Sequence, residues 1–144
     1  MQRGFSLFEV LIVIGILGVV ALFTVGIDTR SISRSTASAE STVLLQMLIH
    51  ARSRAMNNEY QMPHGVYVDA NNFVLFRGNS YDPLAAGNEP TPRSTQVSIS
   101  IPPAVPFEVV FTQLSGTTSA QTVKLASGVD SVDIDIKETG AIAW

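Results

Sequence analysis

Apolar residues crowd the beginning of this chain, return at helical spacing in the middle, and alternate with polar residues toward the end. Residues 10–27 hold no charged side chain and consist mainly of Leu, Ile, Val, Ala and Phe. A run of about 18 such residues is long enough to cross a bilayer as one helix. Residues 31–41 are polar, rich in Ser and Thr and free of proline, so nothing there stops a helix. Val43, Leu44, Met47, Leu48, Ala51 and Ala55 then recur at i, i+3 and i+4, which predicts a helix with one apolar face. Arg52 and Arg54 fall near its end, where cations suit the helix dipole. Asn57-Asn58 is a stop signal. Without a break, a helix from residue 6 to 56 would be about 75 Å long. Gly26 is a place where such a helix would bend or melt locally, because glycine weakens a helix.

From residue 65 the period changes to two. Residues 65–69 and 73–77 flank 70–72 and read as a hairpin. Val97, Ile99 and Ile101 alternate with polar residues, as do Val109 with Phe111, Val123 with Leu125, and Val132 and Ile134 with Ile136. Gly116, Gly128 and Gly140 punctuate these runs. The pattern predicts one small antiparallel sheet of about five or six strands. Such a sheet has an apolar face that needs a cover, and the face of residues 43–55 supplies it. The fold class is therefore α+β. Its divisions are a leader (1–4), a membrane or filament-core helix (5–27), an amphipathic helix (28–57) and a globular sheet domain (58–144). Residues 78–94, with Pro83, Pro90 and Pro92, read as a long surface loop without periodicity.

Composition narrows the function classes. The chain has 144 residues, a charged fraction of 15% and a net charge of −3. Its mean hydropathy of +0.28 reflects the N-terminal block. Nine basic against twelve acidic residues argue against general affinity for nucleic acid, which needs clustered Lys and Arg. No cysteine is present, so disulfides and thiolate metal sites are excluded.

Three readings compete for the N-terminus. As a cleaved secretory signal, the apolar run is too long and no A-x-A site follows it. A plain signal anchor fits the length but leaves Glu9 unexplained. A leader cut after Gly4 accounts for Glu9 directly. A carboxylate at the edge of lipid costs several kcal/mol, on the order of magnitude of any buried charge, unless it has a partner. Cleavage would give Phe5 a new α-amine about one helical turn from Glu9. The plainer alternative is an interfacial Glu with no special role. Gly15, Gly18 and Ala21 recur at i, i+3 and i+6, a strip that lets helices approach closely. Glycine is also ordinarily tolerated in membrane helices, which is the other reading of that strip.

The segment Arg3-Gly4-Phe5-Ser6-Leu7-Phe8-Glu9-Val10-Leu11-Ile12 and the apolar run after it resemble the class III leader of type IV pilins and type II secretion pseudopilins. The resemblance implies cleavage between Gly4 and Phe5 by a prepilin peptidase/methyltransferase and N-methylation of Phe5. It also implies an assembly role for Glu9, other pilin subunits as partners, and a membrane as the site of assembly. The C-terminal part would lie outside the cytoplasm; charge does not decide this, because Arg3 precedes the apolar run while Arg30 and Arg34 follow it. The layout of long helix, hairpin and late strands, with Phe111 five residues before Gly116 and with Thr139-Gly140-Ala141-Ile142, resembles more loosely the GspH/FimT-like minor pilins. The functions implied are a minor pilin or pseudopilin, or a major pilin of the same machinery. A DNA-binding pilin for transformation and an anchored binding module that never assembles are further alternatives.

Enzymatic chemistry finds little support. His50 and His64 lack metal-ligand spacing and are expected in solvent or packing roles. There is no G-x-S-x-G elbow, P-loop or G-x-G-x-x-G. Asp69, Asn71, Asn72 and Asp82 are oxygen donors near turns, but their spacing is not that of an EF-hand, and such residues usually serve the backbone. No cofactor is expected. Asp130, Asp133, Asp135 and Glu138 make the last segment acidic, offset only by Lys137, so nucleic acid is not an expected partner.

Overall fold

A computed structural model describes the backbone of residues 6–24, 29–100 and 105–144, and their side chains except those of 21–24 and 29–35. Two helices come first: α1 (Leu7–Thr24) and α2 (Thr29–Met56). The expected bend at Gly26 and the strand position Ile101 lie outside the described residues. Among the described residues eight strands follow: β1 (His64–Val68), β2 (Asn72–Arg77), β3 (Glu89–Pro92), β4 (Ser98–Ser100), β5 (Phe107–Phe111), β6 (Gln121–Ser127), β7 (Asp130–Ile136) and β8 (Ile142–Ala143).

The α+β class holds, but the single sheet does not. The strands form two antiparallel four-stranded sheets, ordered β3-β2-β1-β5 and β4-β6-β7-β8. Period-two alternation says that a strand has an apolar face; it does not say which strand lies beside it. Two strands also escaped the pattern. β3 carries Pro90 and Pro92 and shows no alternation, yet an edge strand tolerates proline because one side of its backbone faces no partner. It lies inside the stretch 78–94 that reads as loop. β8 has two residues, too few for any period.

The expected hairpin is β1 and β2, registered from His64↔Arg77 to Val68↔Phe73. Its turn is held by Asp69, whose Oδ1 accepts the amides of Asn71 at 2.6 Å and Asn72 at 2.7 Å. The loop between β2 and β3 is pinned rather than free. The Tyr81 amide donates to Glu108 at 2.8 Å, and the Tyr81 ring stacks on Tyr67 at 4.0 Å.

α2 covers both sheets. Leu44, Leu48, Ala51 and Ala55 are all at most 1% exposed and share one core with Val66, Phe73, Phe111, Val123, Leu125 and Ile134. Val43 and Met47 flank that core, half-buried. The alanines let the sheets approach the helix closely, while burying a Leu is worth about 1.5–3 kcal/mol. At the junction between the two sheets lies Arg93. Its guanidinium donates to the Asp69 carbonyl at 2.9 Å and to the Val97 carbonyl, and sits 3.8 Å from Glu40 of α2. Glu40 in turn accepts the Ser94 amide at 2.9 Å. Burial pulls the Arg93 guanidinium below its ordinary value.

Candidate functional site

The residues singled out at the N-terminus fall on α1 or just before it. Gly4 and Phe5 lie outside the described residues. Ser6 begins the helix: its Oγ accepts the Phe8 amide at 3.3 Å, and its carbonyl accepts the amides of Glu9 at 3.0 Å and Val10 at 3.2 Å. Glu9 stands in the first turn with its side chain exposed. Ser6 and Glu9 thus have the Ser-x-x-Glu spacing of a helix start, where an acid also suits the positive end of the dipole. Sequence reasoning missed this local role; the spacing alone was the signal. It is compatible with pairing to an amine, because the carboxylate faces outward.

Gly15 and Gly18 lie in the body of α1, and a Cβ on either would meet nothing within 4 Å. Their surface is open. Ala21 is in the same helix, with its side chain outside those described. Apolar side chains are exposed all around α1, from Leu7 at 85% and Phe8 at 72% to Leu17 at 61% and Val20 at 54%. A helix that is hydrophobic on every side belongs in lipid or among other helices. Single soluble molecules rarely leave so large an apolar surface in water. Among the described residues no helix is long and apolar enough to cross a membrane. The side chains described on α1 run only from Leu7 to Val20, about 21 Å of helix, against about 30 Å for a bilayer core.

The other candidates take structural places. His50 is exposed and accepts from Arg54 Nε at 3.3 Å. His64 is buried on β1, its Nδ1 3.1 Å from the Met62 carbonyl, and burial lowers its pKa. Arg54 is bound to Glu89 at 2.6 Å, which raises the arginine and lowers the glutamate. Arg52 donates to the Thr139 carbonyl at 3.4 Å. The side chains of Arg30 and Arg34 are not among those described. Asp82 caps its own loop, accepting the Leu84 amide at 2.9 Å. On the outer face of β7, Asp133 lies 4.0 Å from Lys124, and Asp135 accepts from Thr122 at 2.7 Å.

Residues 1–25 match the family described as the prokaryotic N-terminal methylation motif. That is the class III prepilin leader, consistent with a type IV pilin or pseudopilin. No curated protein and no solved structure matches the chain.

Proposed function

We propose, from the premise that its first 25 residues carry the N-terminal methylation motif of pilin-like subunits, that this chain is a minor pilin or pseudopilin. It would serve a type IV pilus or a type II secretion filament as a structural subunit. The observation that carries the reading is α1: a helix apolar on every side, with one carboxylate, Glu9, in its first turn. The precursor sits in the inner membrane by residues 5–27, with the sheet domain outside the cytoplasm. A prepilin peptidase cuts after Gly4 and the new Phe5 amine is methylated. Glu9 pairs with that amine, on its own chain or on a neighbour. Lipid tails do not drive apolar helices together, so polar pairing and close packing along Gly15, Gly18 and Ala21 select the assembled state. Out of the membrane, the same helices form the filament core, where burial contributes roughly 25 cal/mol per Å².

Gly116 and Gly140, two of the residues behind the looser likeness to GspH/FimT-like minor pilins, have a local steric role. Both have positive φ, and a Cβ at Gly140 would lie 1.9 Å from the Gly116 carbonyl oxygen, with Arg52 beside both. Two late loops therefore close on each other over the helix only with glycine at these places.

The test is mass spectrometry of the mature N-terminus of the protein purified from cell membranes. N-methylated Phe5 is the expected terminus. An intact Met1, or a terminus elsewhere, would overturn the reading in favour of an anchored module that does not assemble.

A further inference from the structure

Where α2 ends lies a partly open polar cavity of about 70 Å³, lined in part by Arg54, Glu59, Tyr60, His64, Arg77 and Glu89. Arg54 has its counter-ions: Glu89 at 2.6 Å and Glu59 at 3.7 Å. Arg77, from β2, makes no direct ion pair among the described residues, although its charge helps to lower Glu89. Its guanidinium lies 4.2 Å over the Tyr60 ring and against Gly87, where a Cβ would fall 1.7 Å from one of its nitrogens.

His64 is 1% exposed, and its Nε2 is buried without a partner. Because the Met62 carbonyl only accepts, Nδ1 carries the hydrogen and Nε2 is a bare lone pair. An unsatisfied buried polar atom costs about 1–3 kcal/mol and calls for an explanation. Tyr60 in the cavity wall has a φ of 56°, with Asn58 and Gln61 beside the wall at 56° and 55°, a region that L side chains rarely adopt and that recurs at ligand clamps.

Among the described residues no side chain is hydrogen-bonded to Arg77, and no proton reaches His64 Nε2. A small oxyanion that brings a proton, or that stabilises one on the imidazole, supplies an acceptor and a proton. We propose that this cavity binds a free small oxyanion of phosphate or carboxylate type, held by Arg77 and sharing a proton with His64 Nε2. The charged and titratable groups facing it are Arg54 from α2 with His50 bonded behind it, Glu59 and Tyr60 from the turn, Arg77 from β2 and Glu89 from β3. β5 presents Phe111 opposite His64, which is apolar. Glu59 and Glu89 oppose an anion, so affinity is weak, about millimolar. Binding takes up a proton and tightens as pH falls toward the range in which a buried imidazole charges.

The test titrates the full-length chain in detergent micelles with inorganic phosphate, following the His64 ring by NMR, with acetate and chloride at matched ionic strength. Saturable shifts with phosphate or acetate but not chloride are expected, at least about threefold tighter at pH 5.5 than at pH 7.5. Arg77→Gln should weaken binding about tenfold without lowering the thermal midpoint. Arg77→Lys should keep part of it, which guards against a variant that merely misfolds. His50→Gln should leave the pH dependence intact. An absence of saturation below about 50 mM, an equal response to chloride, or unchanged affinity in Arg77→Gln would overturn the site.

Discussion

Arg93 stands between Pro92 and Ser94 in a stretch that reads as surface loop, yet its side chain is 4% exposed. Nothing in its neighbours along the chain announces this; Glu40 and Asp69 arrive from distant parts of the sequence, and Val97 lies four residues on. Removing one member of a buried pair leaves the other charge without compensation, so Arg93→Ala should lower unfolding free energy by about 3 kcal/mol in denaturant titrations. Glu40→Gln should cost less, because the amide oxygen still accepts the Ser94 amide. His64 gives a pH-dependent prediction. Burial holds its folded pKa below the ordinary 6.5, so the unfolded chain binds the proton first. Its contribution is complete above about pH 6.5 and is lost as pH falls toward the folded value. Glu89 behaves alike in a lower window, its stability present above its ordinary 4.5 and lost below as pH passes its lowered value. Unfolding midpoints of the full chain in micelles should therefore decline from about pH 6.5 downward, and His64→Gln should flatten the upper part of that decline. Asp69, by contrast, was legible: an Asp before two Asn at a hairpin bend bonds its own backbone, and it does.

Elements announce themselves when they bury one face over enough residues to set a period. α2 ends at Met56, where the spacing ended it, and the positions Leu44, Leu48, Ala51 and Ala55 form the buried stripe. Leu48→Ala should cost about 2–5 kcal/mol through the cavity it leaves, while Ile49→Ala, one residue away and 49% exposed, should change stability by less than about 0.5 kcal/mol. Thermal or denaturant unfolding of both variants checks the register of the helix on its sheets. The strands that were missed, β3 and β8, are an edge strand with two prolines and a two-residue strand. Each is held by the neighbour it pairs with, Val74↔Pro90 in one case and Ile136↔Ile142 in the other, and a neighbour is not a local property.

At the scale of the molecule, an α+β body carries an apolar helix whose described side chains are largely exposed. Glu9→Leu should still insert into the membrane but incorporate poorly into filaments, since the apolar run lengthens while the amine loses its carboxylate. Immunoblots of membrane and sheared-filament fractions separate the two steps, and wild-type incorporation would refute the role of Glu9. Gly4→Leu should accumulate as untrimmed precursor, read as a mobility shift. These expectations rest on residues contiguous in the chain. The leader, the apolar run, its acid and the amphipathic stripe of α2 are encoded locally, because cleavage, insertion and helix periodicity each act on neighbouring residues. Only the tertiary structure decided that the strands divide into two sheets, that Arg93 ties them to Glu40, and that Arg54, His64 and Arg77 meet around one cavity. Those arrangements join residues up to tens of positions apart, and their energies depend on burial and pairing that exist only once the chain has closed on itself.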